Sequence, residues 1–505
     1  MNHFVIVLFM VVASVLTNQD KDDPSTRIYP QILTDIPFIE DASAMSLEEL
    51  IDKASNHPGL EWIKDEELLT QFGINVTQIH PDIIADAFST TCQLVRRRGY
   101  PCEIHRFQNK DGYIIEMHRI PGSSSSPAKF GKTVAYLQHG LLDSSATWVM
   151  MGKNSLGYIL ADLGYDVWLG NKRGNRYSRE HIRDDPDGRR GDRRRFWNFS
   201  WHQIGIVDLP DMIDYITFIT AQHRMHYVGH SQGTTAFFVM CSERPVYNDR
   251  IMTAHMLAPI AFMGNLRSPF VRSLAFFLNS LDMATSLLGI YEFLPNNEIM
   301  SLLGQAACRD EAWFQVVCSN VLFLIGGFNS AQTNKVSSES VPTNWTADNC
   351  FDEYLIFQTM LPVIMGHTPA GASTDQMIHY GQGIRAGRFR KYDYGAFFNI
   401  IHHGSFTPPN YKLANVRAPV SLYYSLNDLL SEPVDVDTLW QGLGNPAHKI
   451  LINDPRFNHF DYVWAIDQRT LVYDHVVDIM RSYKRVVSDA SDRSLSEDID
   501  EVKSV

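Results

Sequence analysis

The feature that most constrains this chain of 505 residues is the pentapeptide GHSQG at residues 229–233. It directly follows the strand-like segment HYV at 226–228 and directly precedes the helical pattern TTAFF at 234–238. A sharp turn from a strand into a helix needs glycine on both sides of the serine, because side chains there would clash. The pentapeptide alone is a weak signal, but its place between a strand and a helix predicts that Ser231 is a nucleophile.

A serine hydroxyl reacts poorly at its ordinary pKa, so an activating base and an orienting acid must come from elsewhere in the chain. After a turn of this kind they follow in the order Ser, Asp or Glu, His. The strand-like segment PVSLYY at 419–424 ends in the turn SLND, which predicts Asp428 as the acid. Asp435 and Asp437 come after Pro433, and we expect them near the start of a helix, where a carboxylate favours the dipole.

The general base is expected in a loop after the last strand. The segment FNHFD at 457–461 precedes a helix expected to start near residue 467, and it predicts His459 as the base. The rival histidines are His402 and His403, in sequence rich in glycine and proline, and His448 before the final strand. No carboxylate or cysteine stands at ligand spacing from the adjacent histidines, so we predict no metal site and no cofactor.

An oxyanion hole needs two backbone N–H groups, one from the residue after the nucleophile and one from a loop after an earlier strand. Gln232 supplies the first of these donors. The segment QHGLL at 138–142 follows the strand-like VAYL at 134–137, which makes the Leu141 N–H the second donor. We expect His139 to be a buried hydrogen-bonding residue that shapes this loop.

Short apolar segments closed by turn residues predict the strands of a parallel sheet: 133–137, 165–169, 226–229, 253–258, 419–424 and 449–453. Helical patterns such as 209–220 and 234–241 separate several of them, which predicts an α/β fold with a mostly parallel, doubly wound sheet. Alternating segments at 103–107 and 113–118 flank NKDG and predict a hairpin. The net charge of −13 argues against a nucleic-acid partner.

The beginning of the chain predicts entry into the secretory pathway. Residues 4–16 form an apolar segment too short to span a bilayer and of the length typical of a signal-peptide core, and no later segment reaches transmembrane length. Asn75, Asn198 and Asn344 stand in glycosylation sequons, which fit that compartment. Cys308 and Cys318 bracket a short segment that a disulfide could fold back on itself, while the pairing of the other four cysteines stays open.

Changes in composition along the chain suggest its organisation. The strand and helix alternation lapses at 261–416, which predicts a mainly helical cap inserted into the sheet core, or alternatively an independent helical domain. The predicted order is a signal peptide at 1–19, an N-terminal extension at 20–80, core at 81–260, cap or lid at 261–416, core again at 417–487, and a disordered acidic tail at 488–505.

Several of these motifs together resemble the acid lipase family of α/β hydrolases, which includes gastric and lysosomal acid lipases. The resemblance runs from about residue 80 to 485 and includes QHGL at 138–141, GYDVWLGN at 164–171, the pentapeptide, and NHFD at 458–461. It implies an α/β-hydrolase fold with a helical cap, a triad of Ser231, Asp428 and His459, and a cap disulfide that corresponds to Cys308 and Cys318. Lys172 departs from the family, which usually has a small residue there.

We therefore expect a serine ester hydrolase, a lipase that cleaves neutral lipid esters such as acylglycerols or sterol esters through an acyl-enzyme. It would act at the surface of a lipid droplet or micelle and be secreted or lysosomal. Two alternatives stay open: a non-catalytic lipid-binding protein on a lipase scaffold, and a hydrolase of other substrates such as small soluble esters or peptides, because a fold and a triad do not define the acyl group.

Overall fold

A mostly parallel sheet with helices on both faces forms the core of this chain. The computed structural model describes residues 81–269, 271–273, 275, 291–294, 325–327 and 360–483. The strands are β1 Glu103–Gln108, β2 Tyr113–Ile120, β3 Val134–Gln138, β4 Asp166–Gly170, β5 Glu180–His181, β6 Met225–His230, β7 Ile251–Leu257, β8 Glu292–Phe293, β9 Ala372–Ser373, β10 Val420–Tyr424 and β11 Pro446–Leu451.

Helices connect the strands. The α-helices are α1 Pro81–Phe88, α2 Thr91–Arg97, α3 Leu156–Asp162, α4 Arg190–Phe196, α5 Trp201–Gln203, α6 Leu209–Thr220, α7 Gln232–Glu243, α8 Met360–His367, α9 Thr374–Ala386, α10 Ala396–His403, α11 Pro433–Gly442 and α12 Asp461–Trp464. Shorter helical segments include the π-helical turns Ile204–Asp208 and Arg469–Tyr473, and residues 474–483 are α-helical.

The main sheet has the strand order β1-β2-β4-β3-β6-β7-β10-β11, with β5 paired to β2. The pairs from β4 through to β11 are parallel, while β1, β2 and β5 join antiparallel at one end. Strands β8 and β9 form a separate antiparallel pair. Because the central strands are parallel, their carboxyl ends meet at one edge of the sheet, which is where such folds hold their functional groups.

The apolar composition of the central strands follows from their burial on both faces. All five residues of β3 are buried. Ala135 and Leu137 pack into one hydrophobic cluster, whereas Val134 and Tyr136 pack into the other. Since side chains alternate along a strand, β3 contributes to both clusters, and this burial on both faces favours apolar residues at successive positions.

The predicted strands are present, with ends that differ from the expectation by about three residues at most. Helix α6 covers the residues expected of it, and α7 begins two residues earlier than its pattern suggested, directly after the serine. The predicted hairpin joins β1 to β2. Its turn is held by the Asn109 side chain, which accepts the N–H groups of Asp111 and Tyr113, and by Gly112 at a φ of +100°.

One disulfide that the sequence left open joins Cys92 in α2 to Cys102 just before β1. Cys241, in α7, is buried with a free thiol. The expected pair Cys308 and Cys318 lies outside the described residues. So do the predicted signal peptide, N-terminal extension and acidic tail, and the sequons of Asn75 and Asn344. Asn198, in the remaining sequon, is exposed just after α4.

The described parts of 261–416 contain helices α8, α9 and α10, with only the short pair β8 and β9 as strand. This content suits the predicted helical insertion, whose boundaries stay a prediction. In the part of the chain that the structure describes, no helix is both long and apolar enough to cross a membrane.

Candidate active site

Ser231 occupies a sharp turn between β6 and α7. Its backbone has φ 50° and ψ −115°, a conformation that costs a residue other than glycine about 1–3 kcal/mol. The flanking glycines make the turn possible: a Cβ at Gly229 would lie 2.9 Å from the Gly233 carbonyl carbon, and one at Gly233 would lie 2.4 Å from the Gln138 carbonyl oxygen. The serine hydroxyl therefore stands at the carboxyl edge of the sheet, as the pentapeptide predicts.

The structure brings Ser231, His459 and Asp428 together although they are far apart in the chain. The Nε2 atom of His459 lies 2.8 Å from the Ser231 Oγ, and its Nδ1 lies 3.0 and 2.9 Å from the two carboxylate oxygens of Asp428. Since the carboxylate can only accept, Nδ1 carries the proton and Nε2 is free to accept the serine hydroxyl. This tautomer is the one in which the imidazole can act as a general base.

The carboxylate of Asp428 is fully buried in the loop after β10. Its Oδ1 accepts the backbone N–H groups of Leu430 at 2.9 Å and Ser431 at 2.8 Å. These donors compensate a charge that would otherwise be costly to bury, and they fix the direction in which the carboxylate faces the imidazole. The neighbouring Asp435 lies in the first turn of α11, as expected, and accepts from the backbone and side chain of Asn265.

A tight turn holds His459 in place. The Asp461 carboxylate accepts the Asn458 N–H at 2.7 Å, and the Asn458 side chain accepts the N–H groups of Phe460 and Asp461. These bonds satisfy N–H groups that open the short helix α12 at Asp461. The helix expected to start near residue 467 is present after α12, as the helical run at 468–483.

Two further groups contact the backbone of His459. Burial, together with the nearby His459, lowers the pKa of His230 to about 3, so its imidazole is neutral and Nε2–H donates to the His459 carbonyl at 2.9 Å. The carbonyl oxygen of Gly326, far away in the chain, accepts the N–H groups of His459 at 3.1 Å and Leu429 at 3.2 Å. One acceptor therefore joins the loop of the base to the loop of the acid.

The expected oxyanion donors lie beside the serine. Gln232 is the first residue of α7, so its N–H has no acceptor within the helix. The loop that carries Leu141 passes close to the nucleophile, since a Cβ at Gly140 would lie 3.3 Å from the Ser231 Cβ. Leu141 and Gln232 also line one small cavity. The two expected donors therefore belong to two different elements that both approach the nucleophile.

Comparison with known proteins agrees with this geometry. The family model described as "Partial alpha/beta-hydrolase lipase region" matches residues 91–152, and that described as "alpha/beta hydrolase fold" matches 136–281. Lipase 3 of Drosophila melanogaster is 42% identical over 76% of this chain and 91% of its own length. Gastric triacylglycerol lipase of Bos taurus is 36% identical over 79% of this chain and 93% of its own length. The chain belongs to the acid lipase family of α/β hydrolases.

The three rival histidines of this acid lipase, His402, His403 and His448, lie apart from the three grouped side chains. In α10, His402 stacks against Tyr394 and His403 donates from Nε2 to the Tyr392 carbonyl. His448 lies in β11, within hydrogen-bond distance of the Ser421 hydroxyl. Among the described residues, no group of three or more His, Cys, Asp and Glu side chains could hold a metal ion.

Lys172 lies directly behind the loop that carries Leu141. Lys172 is 4% exposed, and its Nζ donates to the carbonyl oxygens of His139 and Gly140 and to the side chain of Gln232. His139 is itself buried, as expected, with Nδ1 2.8 Å from the Gly140 oxygen. The sequence marks Lys172 as an unusual residue but does not predict that it lies in the site, because a lysine is ordinarily exposed.

Sequence reasoning also missed His230 and Gly326, which orient the base. His230 stands inside the pentapeptide, and its position next to the nucleophile was a signal that could have drawn attention to it. For Gly326 the sequence offers no comparable signal, because a backbone carbonyl is common to every residue.

Proposed function

We propose that this chain is a lipase: it hydrolyses neutral lipid esters such as acylglycerols or sterol esters through an acyl-enzyme on Ser231. The observation that carries the proposal is the chain of hydrogen bonds from Ser231 through His459 to Asp428, with Nε2 2.8 Å from the serine Oγ. Relatives named as gastric triacylglycerol lipases, aligned over most of this chain, support an ester of a fatty acid as substrate.

In the first half of the reaction, Ser231 Oγ attacks the ester carbonyl carbon while His459 Nε2 takes the hydroxyl proton. The carbonyl oxygen becomes an oxyanion that the N–H groups of Leu141 and Gln232 stabilise. Asp428 stabilises the imidazolium through Nδ1. As the tetrahedral intermediate collapses, the bond to the alcohol oxygen breaks, and the imidazolium protonates the leaving alcohol.

In the second half, water replaces the alcohol. His459 takes a proton from the water as its oxygen attacks the acyl carbon, and the same N–H groups stabilise the second oxyanion. Collapse of this intermediate breaks the bond to Ser231 Oγ, which recovers a proton from the imidazolium. The fatty acid leaves and the free enzyme is restored.

The named relatives and the chemistry of lipid esters support both the substrate class and the location of the enzyme. Neutral lipid esters are insoluble in water, so the enzyme would meet them at the surface of a lipid droplet or micelle. A secreted or lysosomal location accords with the signal-peptide pattern at residues 1–19 and with the Cys92–Cys102 disulfide, since disulfides persist in oxidising compartments.

The experiment compares the full chain with Ser231→Ala on emulsified long-chain triacylglycerol and on a soluble short-chain ester. Ser242→Ala is a matched control, because it removes another buried serine hydroxyl from the opposite end of α7. We expect Ser231→Ala to lose activity by about 10³-fold or more, and Ser242→Ala to keep it.

Three results would count against the proposal. Serine-dependent activity on the short ester alone would make the protein an esterase of soluble substrates. Equal activity of Ser231→Ala and the unchanged protein would remove Ser231 as nucleophile. Binding of lipid without hydrolysis by the unchanged protein would favour a lipid-binding role.

A further inference from the structure

Lys172 follows β4 and is buried among uncharged oxygens. Its Nζ lies 2.7 Å from the Gly140 carbonyl oxygen, 3.2 Å from that of His139 and 2.6 Å from the Gln232 Oε1. An ammonium group has three N–H donors and no acceptor, so three oxygens satisfy it completely. None of the three carries a formal charge, which distinguishes this lysine from one held by an ion pair.

The burial of Lys172 is costly to the fold. Removal from water lowers the pKa of its ammonium to about 7, although Asp143 and Asp208 favour the charged form. A small side chain at this position would carry no such cost. A contribution to stability therefore does not explain why a lysine stands at this position. The identity of its three acceptors suggests a role in the active site instead.

Two of the three acceptors of Lys172, the Gly140 carbonyl and the Gln232 side chain, are close in the chain to the two expected oxyanion donors. The Gly140 carbonyl and the Leu141 N–H are parts of one planar peptide group and point in opposite directions, so a bond that fixes the carbonyl also fixes the N–H. The Gln232 side chain belongs to the residue whose backbone N–H is the other oxyanion donor. Leu141, Lys172 and Gln232 line the same small cavity.

We propose that Lys172 is a positioning residue of the oxyanion hole, which ties the Gly140–Leu141 peptide to Gln232 so that both N–H groups point to the developing oxyanion. The inference rests on the proposed serine hydrolase function and extends it to a residue that touches no substrate. Because oxyanion donors act only when they are aimed in advance at the transition state, loosening this tie lowers kcat more than it raises KM.

The test compares Lys172→Met, which keeps the length of the side chain without its donors, with Lys132→Met in the full-length protein. Lys132 is a matched control because it is also buried and its Nζ donates to two backbone carbonyls, those of Pro121 and Ser126. It precedes β3 at the edge of the sheet opposite Ser231. The same substitution there removes equivalent bonds away from the site.

The measurements are kcat and KM on a soluble short-chain p-nitrophenyl ester, and inhibition by an alkylboronic acid, which forms a tetrahedral anionic adduct with a reactive serine. For Lys172→Met we expect kcat to fall by about 10- to 100-fold, less than the loss of a whole oxyanion donor. We expect KM to stay within about 2-fold, and the inhibition constant to rise in parallel with the fall in kcat. Lys132→Met should change neither.

Lys172→Ala, which replaces the lysine by a small side chain, serves as the second variant if Lys172→Met does not fold. We expect its kcat to fall by about 10-fold, because water filling the space holds the loop less firmly than an ammonium. A folded variant with kcat and boronic acid inhibition within about 3-fold of the unchanged protein would overturn the inference, as would an equal loss in Lys132→Met. If Ser231→Ala is inactive in the same assay, an unchanged Lys172 variant contradicts only the proposed role of Lys172. If Ser231→Ala is active, the proposed function itself fails.

Discussion

Replacement of Asp428 by asparagine tests the assignment of the acid, and the surrounding hydrogen bonds determine the expected result. The Oδ1 atom accepts the N–H groups of Leu430 and Ser431, so an asparagine must keep its oxygen on that side. Its NH2 group then takes the place of Oδ2, which lies 2.9 Å from His459 Nδ1, while Oδ1, 3.0 Å from Nδ1, already accepts the two backbone N–H groups. To accept this donor, the imidazole must move its proton to Nε2.

An imidazole protonated at Nε2 cannot accept the Ser231 hydroxyl proton. The same change of tautomer in a serine protease lowers kcat by about 10⁴-fold. This factor corresponds to about 5.4 kcal/mol of transition-state stabilisation, and we expect a similar loss for Asp428→Asn. The fold should change little, because asparagine keeps the bonds to both backbone N–H groups.

The assay is kcat on a soluble short-chain ester, with thermal unfolding measured beside it. Asp435→Asn is the matched control, since Asp435 is also a buried carboxylate that accepts a backbone N–H, in α11 rather than against the imidazole. We expect this control to stay within about 3-fold of the unchanged protein. Retention of more than a tenth of the activity in folded Asp428→Asn would refute the reasoning, and a large loss in Asp435→Asn would point to the wrong carboxylate.

Two further changes test the turn and the buried histidines. Gly233→Ala places a Cβ 2.4 Å from the Gln138 oxygen, so we expect kcat to fall by about 100-fold or more and the melting temperature to drop, while Gly191→Ala, whose nearest neighbour would be 3.5 Å away, should alter neither by much. Burial lowers the pKa of His230 and His367 to about 3, so the unfolded chain binds their protons more readily. The contribution of these two histidines to stability is therefore complete above about pH 6.5 and falls towards pH 3, by at most about 1.4 kcal/mol per pH unit for each histidine. Thermal unfolding at pH 7, 5.5 and 4.5 checks this, His367→Gln should flatten the slope, and a melting temperature that rises with acid would contradict it.

The sheet and the grouped side chains could be predicted from the sequence because each depends on local patterns. Ser231 is identified by the strand before it and the helix after it. Asp428 and His459 each follow a strand of the same parallel sheet, and the carboxyl ends of such strands meet at one edge. Local pattern and chain order are therefore sufficient to predict that these three residues, which are distant in the chain, lie close together.

The features that the sequence left open depend on packing between distant segments. Nothing local distinguishes Cys92 and Cys102 from the other cysteines until α2 is placed beside β1. The burial of Lys172 depends on the loop after β3 folding over the end of β4. The pattern around a lysine gives no sign that three uncharged oxygens will surround its ammonium.

The Gly326 carbonyl has a consequence for anyone who wishes to build a minimal version of this enzyme. The obvious strategy removes the whole predicted insertion at 261–416 and rejoins the sheet core. That deletion would also remove the oxygen that accepts from both Leu429 and His459, so the acid and base loops would lose their common tether. A shortened enzyme must therefore keep a backbone acceptor at this point, because part of the scaffold of the core is encoded within the segment that looks dispensable.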